Sequence, residues 1–482
     1  MPSRVSSWLT PVAWVAAVSG VLLLLFPVGF PNYDTIYALV WGRELAHGAS
    51  PDYGAALPPT PHPLADLLGL VTTPLGNGAI DVTMVVAYVS LALAGYLVYR
   101  LGALWFDRPI GAVAALIVLT RAPYLSNGLR AYVDLPYIAF CLGALVIETK
   151  RPRAGWPVLA LLALAGLLRP EAWGFAIAYW LWLALDYRGG IRWRRERSPR
   201  RLALLGILAT AGPLLWVLFD GITTGNFLYS LTGTQETVET LKRKTGPVDL
   251  VLYGPRALGE VMQWPGMIGA LGGIVLGFAF LRRRSALGIA AVALVFGAFA
   301  FLATAGLAII ARYTMLGSAL LAIFVAVALL GWRLLEPGHP WRRRWQIFAG
   351  VVALMFVVWA PNQWDLDSTV HRDLSNQGTI ERDLSHLVDA GAFAKPLCGP
   401  IAVPNHRAIP RLAFGLEVKP TAMVGVSEEG IPRRGYYLDP ANAFVIHNFI
   451  LDPNDPTSFS LSPPAGFREV ARNESWILYR RC

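Results

Sequence analysis

Residues 12–30, VAWVAAVSGVLLLLFPVGF, run directly into residues 31–48, PNYDTIYALVWGRELAHG. The first part carries no charge and is long enough to cross a bilayer as a helix. The second puts Asp34 where that crossing ends. Arg4 precedes the apolar run and no small-residue cleavage site follows it, so the run is expected to stay in place as a signal anchor.

The same pattern recurs along the chain. Of 482 residues, 55% are hydrophobic and 15% charged, well short of the quarter that soluble domains carry. Apolar runs near 12–30, 82–100, 109–123, 133–148, 156–169, 171–187, 202–219, 265–281, 286–303, 313–332 and 346–360 predict about eleven transmembrane helices. Seventeen Trp and seventeen Tyr suit a chain with many interfacial anchors. The fold class expected is an all-α polytopic membrane protein with a small α/β domain at its C-terminal end.

Charge fixes the sidedness of this reading. The net charge of +10 would suit a nucleic-acid binder, but the basic residues fall in short clusters between apolar runs. With the N-terminus in the cytoplasm, the inner connections together with Arg4 carry twenty Lys and Arg, and the longer outer ones about nine. YRGGIRWRRERSPRR, FLRRRS and PWRRRW are all inner, as the positive-inside rule requires. An odd number of spans leaves the C-terminal segment outside.

Two outer loops are expected, 31–80 and 220–262. The first reads as surface helices at 35–47 and 62–76, joined by a Pro/Gly-rich turn. The second contains GTQETVETLKRKTG, with Lys242, Arg243 and Lys244 on the side where the topology rule disfavours them, and reads as a lid. Residues 1–360 form the membrane domain. Residues 361–482, richer in Asp, Glu, Pro and Asn, form an extracytoplasmic domain. There TIERDLSHLVDAGAFA predicts an amphipathic helix, and PIAVP, AFVIHNFIL and SWILYRR predict strands. Cys398 and Cys482 lie in this oxidising compartment, where they either pair or remain as two thiols; Cys141 lies in a span as a packing residue.

Ionisable groups in apolar surroundings are costly and mark candidate sites. Asp34, flanked by Tyr33 and Tyr37, is either the cap of the helix that follows or a base. Arg130 and Asp134 are four apart and either pair with each other or offer a second acid to the same cavity. Arg169 and Glu171 interrupt an apolar stretch around Pro170, as a mutual ion pair at an outer turn or as cavity groups. Arg312, followed by Tyr313, ends a long uncharged stretch and either meets a phosphate or reaches the outer head groups. All fall on the outer side, a pattern suited to an anionic lipid head group and a nucleophile that needs a base. No metal-binding or nucleotide-binding motif occurs, so no cofactor is expected, and a divalent metal is not indicated.

These residues carry a resemblance. Asp34 with DTIYALVWGRELAHGASPDY, then HPLADLL, LLRPEAW and ARYTMLGSALL, in that order and on one side, resemble the GT-C superfamily of polytopic glycosyltransferases. That superfamily includes protein O-mannosyltransferases, aminoarabinose transferases for lipid A, and actinobacterial mannosyl- and arabinofuranosyltransferases. The likeness covers roughly residues 1–335 and implies a cell-envelope enzyme of the bacterial plasma membrane. It implies a sugar donor on polyprenyl phosphate, a glycan, lipid or protein acceptor, and membrane lipids as partners, with no nucleic acid. Asp34 would be the general base of an inverting transfer, with Arg312, or else Arg169, on the donor phosphate. Tyr33, Tyr37, His62, Arg130, Glu171 and Tyr313 would be substrate contacts, though a His before Pro is equally a loop residue. Some relatives have two adjacent acids where this chain has Tyr33, Asp34 and Thr35. Two other readings are a flippase for lipid-linked sugars, with charges near the bilayer midplane, and a non-catalytic cell-envelope scaffold.

Overall fold

The computed structural model of the chain describes residues 4–186, 192–193, 199–426, 430–450 and 465–482. Most of the basic cluster YRGGIRWRRERSPRR lies outside the described residues.

Each of the eleven apolar runs falls on a helix. By length and composition, six described helices are able to cross a membrane: Gly78–Trp105, Pro199–Thr224, Gly246–Phe280, Arg282–Thr304, Ala311–Leu334 and Pro340–Asp389. Arg108–Leu119 and Ala122–Leu129, bent by 63° at their junction, pass the same test only when taken together, as a broken span or a re-entrant loop, so the described helices give six or seven spans rather than eleven. The remaining runs form shorter helices. Trp156–Gly166 and Glu171–Ala184 divide one apolar stretch, because Pro170 has no N–H to continue the first helix and sits instead at the cap of the second.

Met315–Leu330 is apolar all round and buried along most of its length, so it forms the centre of the bundle. Gly246–Phe280 packs against it.

Three further sequence expectations change, two of them in the membrane domain and its boundary. Residues 246–262, expected in an outer loop, belong to the helix Gly246–Phe280, which is interrupted at Gln263 by non-helical backbone (φ 60°, ψ 160°). The helix Tyr229–Thr240 lies in that loop as foreseen. The boundary expected at 361 is not a break in the chain: Pro340–Asp389 is one helix of 50 residues that runs through Pro361.

Beyond it, five strands form a mixed sheet in the order Met423–Gly425, Ile401–Val403, Gly435–Pro440, Trp476–Arg481, Arg468–Arg472. The first three are parallel and the last two antiparallel to their neighbours. In AFVIHNFIL, residues 443–450 are helical rather than extended, because Asn442 caps them by accepting from the Val445 N–H, and the last residue of the stretch lies outside the described residues. Cys398 and Cys482 are joined in a disulfide with Cα atoms 5.7 Å apart.

The sheet is not a separate appendage. Ile401, Tyr436 and Trp476 share one apolar cluster with Ile36, Tyr37, Val40 and Trp41 of the helix Tyr33–Ala46. Arg43 closes the contact by donating from Nη1 and Nη2 to the carbonyls of Phe414 and Ala413, at 2.8 Å each. On its other face, Tyr33–Ala46 crosses Pro63–Thr72 with backbone against backbone. A Cβ on Gly42 would overlap the Leu70 nitrogen, and one on Gly69 would overlap the Ala38 carbonyl. Gly42→Val is therefore expected to destabilise the fold by about 1–3 kcal/mol. A thermal melt of the detergent-purified protein reads this as a lower Tm, and an unchanged Tm would contradict the close crossing.

Candidate functional site

The site begins at a helix start. Asn32, not Asp34, caps Tyr33–Ala46: its Oδ1 accepts from the Asp34 N–H at 2.8 Å and the Thr35 N–H at 3.2 Å. The alternative of Asp34 as the cap is thereby replaced. Its carboxylate is free of capping duty and lies in the first turn, where the helix dipole favours a negative charge.

This start is pinned to the turn after Ala122–Leu129. Asn32 Nδ2 donates to the Arg130 carbonyl at 2.8 Å, and Thr35 Oγ1 donates to the Ala131 carbonyl at 2.7 Å. Ala131 accepts this position in left-handed backbone, φ 54°. The position of Asp34 is thus set by four neighbouring residues rather than by its own side chain.

Opposite Asp34 stands Arg312, with Nη1 3.4 Å from Oδ2. Both side chains are about a quarter exposed, at 23% and 26%, so a ligand can reach them. The Arg312 guanidinium lies over the rings of Tyr132 and Tyr313, 5.4 Å from each centroid. Tyr313 also carries Arg169, whose guanidinium is 4.2 Å from the ring centre.

Arg169 has a different situation. It is paired to Asp134 and to Glu171, the latter at 2.7 Å, and all three side chains are at most 8% exposed. Arg130 and Asp134 do not pair: Arg130 donates instead to Ser126 and Gln377 and lies over the Phe30 ring. Asp134 therefore stands behind Arg169 rather than facing the cavity as a second acid. Tyr37 is likewise fully buried, with its ring against Tyr33 and Trp41, and is not part of the lining of the cavity beside Asp34.

A cavity of about 670 Å³ joins the rest. Tyr33, Asp34, His62, Arg130, Arg169 and Glu171 line it, and so do Arg243, Arg312 and Tyr313. Lys242 and Lys244 do not; Lys244 packs on Tyr253. The helix Tyr229–Thr240 forms one wall, latched by Asp220, which accepts from the Ser230 N–H at 2.9 Å and its hydroxyl at 2.8 Å. Thr60 and Thr234 bridge the same wall to the first loop at 2.5 Å.

His62 stands before Pro63 at the start of Pro63–Thr72, its ring edge-on to Trp216. Burial first, then the nearby Arg169 and Arg312 charges, push its pKa down to about 3, so the imidazole is neutral at physiological pH. Among the described residues no group of three or more His, Cys, Asp or Glu side chains is gathered as for a metal ion.

Sequence reasoning missed Asn32, Tyr132, Asp220 and the wall residues Gln377, Glu381 and Arg407. Asp220 had a signal, an acid near the end of an apolar run, as Asp34 follows the run 12–30. The other wall residues come from the far end of the chain and have none.

The fold has relatives among solved structures. It is similar to ArnT from Cupriavidus metallidurans bound to undecaprenyl phosphate, with TM-score 0.56 and 13% identity over 99% of this chain and 98% of that one. The same protein in the apo state gives 0.55 and 15% over the same shares. The apo oligosaccharyltransferase of Archaeoglobus fulgidus gives 0.50 and 12% over 90% of this chain and 70% of that one. At these identities the likeness is one of fold. No protein-family model matches the chain, and no curated protein sequence does.

Two outcomes follow from the geometry. Arg169→Gln leaves two carboxylates buried without a partner and is expected to cost about 3–5 kcal/mol of stability. Chemical denaturation in detergent measures it, and a loss below 1 kcal/mol would mean the trio is not structural. His62 is one pH-sensitive group of the site: between about 3 and the ordinary 6.5 the unfolded chain binds a proton that the folded one refuses. The contribution of His62 to stability should therefore fall as pH drops from 6.5 towards 3. His62→Phe should flatten that slope, and Tm against pH for both proteins tests it.

Proposed function

We propose that the chain is an integral-membrane glycosyltransferase that moves a sugar from a polyprenyl-phosphate donor to an acceptor hydroxyl at the outer face of the plasma membrane. The observation that carries this reading is the Asp34–Arg312 pair on the wall of a cavity large enough for a sugar phosphate. The fold shared with ArnT, a structure of which holds undecaprenyl phosphate, supports the class of donor. The basic clusters of the sequence support the outward placement of the cavity.

The chemistry is a single displacement with inversion. Asp34 accepts the proton of the acceptor hydroxyl as that oxygen forms a bond to the anomeric carbon. The bond from that carbon to the phosphate oxygen breaks, and the electron pair leaves with the polyprenyl phosphate. A phosphate is a good leaving group, so no covalent enzyme intermediate is needed. Arg312 meets the charge that grows on the departing oxygen. To do so it exchanges its contact with Asp34 for one with the phosphate, which frees the carboxylate to act as base.

Arg169 is the weaker candidate for the phosphate, because two carboxylates already meet its charge. Its role is to hold Tyr313, and through it the ring face on which Arg312 rests. His62, as a neutral imidazole near both guanidiniums, is suited to a hydrogen bond with a sugar hydroxyl. Tyr33, Arg130 and Arg243 line the remaining wall and are proposed as acceptor or donor contacts.

The test is transfer from a polyprenyl-phosphate sugar in membranes carrying variants. Asp34→Asn should keep the fold and lower the rate by about 10²–10⁴-fold. Arg312→Gln should lower it as well and weaken retention of undecaprenyl phosphate. Wild-type transfer by the Asp34→Asn membranes would remove Asp34 as the base. Lipid translocation without glycosidic bond formation would favour a flippase.

A further inference from the structure

A second hollow lies at the opposite end of the bundle, between Gly246–Phe280 and Pro340–Asp389. Ile268, Leu271, Gly272, Val275 and Leu276 line it from the first helix, at the spacing of one helical face. Trp341, Arg344, Trp345 and Phe348 line it from the second, again three and four apart. The groove measures about 400 Å³. Gly272 makes it possible, since a Cβ there would overlap the Phe348 ring that forms its floor.

Every lining residue except Arg344 is apolar. Leu271 and Val275 are 66% and 57% exposed, on the rim that opens sideways from the bundle. Water has almost no polar partner there, so a chain of methylenes is the filling that suits it.

The charge beside the groove has one sign. Arg344 lies over the Trp341 ring, 5.0 Å from its centre, and Trp341 in turn packs on Phe280 at 5.3 Å. That contact brings Arg282, Arg283 and Arg284 to the same end as Arg342, Arg343 and Arg344. Glu336 is the only acid between residues 281 and 364. Gln377, on the wall of the Asp34 cavity, is about 44 Å further along the same helix. The groove is thus distinct from the candidate active site and does not depend on the reading of it.

We infer that this groove binds one acyl chain of an anionic glycerophospholipid, with Arg344 on the head-group phosphate. A guanidinium pairs a phosphate through two parallel N–H groups, and each basic residue near an anionic head group strengthens the contact about fivefold. Tail and head group then select together, the tail by the apolar groove and the head by the arginines at its mouth.

Native mass spectrometry of the full chain, released from mild detergent with equal phosphatidylglycerol and phosphatidylcholine of the same chains, tests it. The expected result is preferential retention of phosphatidylglycerol. Arg344→Gln, an exposed change that keeps most of the side chain's apolar stem, should reduce the preference about fivefold. Val275→Trp fills the groove and should abolish retention. Equal retention of the two lipids, or a preference unchanged in Arg344→Gln, overturns the inference. So does displacement of the lipid by glycerol phosphate, which would mean a free-phosphate site, or by undecaprenyl phosphate. A dimer lost in Val275→Trp would instead make the groove an interface between copies and overturn it too.

Discussion

A helix that begins at a membrane surface must satisfy its first N–H groups, and what satisfies them decides what else its first turn can do. Here Asn32 takes that duty, and the Asp34 carboxylate is left for Arg312. Had Asp34 been the cap, its oxygens would have pointed back into the backbone. The same asparagine also binds the Arg130 carbonyl, so the capped start and the turn across from it are one rigid piece. The chemistry of the cavity rests on this small arrangement of amide and carbonyl groups.

The two arginines at the centre show how context separates identical side chains. Both touch Tyr313. Arg169 is sealed between two acids, and its loss would strand their charge. Arg312 has one longer contact and a quarter of its surface free. The first holds shape; the second retains capacity for a new partner.

Much of the fold was legible because bilayers impose simple rules. Apolar length marked the long helices of the bundle. The acids and arginines at the ends of those runs were visible for the same reason, since charge is rare there. What was hidden had no such contrast. Asn32 is an ordinary polar residue whose role appears only once Arg130 stands opposite. Arg130 and Asp134, at a spacing suited to pairing, find other partners because Arg169 approaches from another helix. The strand reading of AFVIHNFIL failed because its apolar residues fit either period, and one asparagine decided between them. The contact between the terminal sheet and the first loop is long-range in sequence and leaves no local mark.

The helix Pro340–Asp389 joins the two ends of the molecule. At 50 residues it is about 75 Å of continuous rod. Trp341 and Arg344 sit near one end; Gln377 and Glu381 contribute to the cavity wall near the other. A rod of that length acts as a lever: a tilt of about three degrees pivoting at its inner end sweeps the other through roughly 4 Å, more than the length of a hydrogen bond. A displacement of the basic end is thereby carried to Gln377 and Glu381 through a single helix, in which Pro361 is a place where a backbone hydrogen bond is missing.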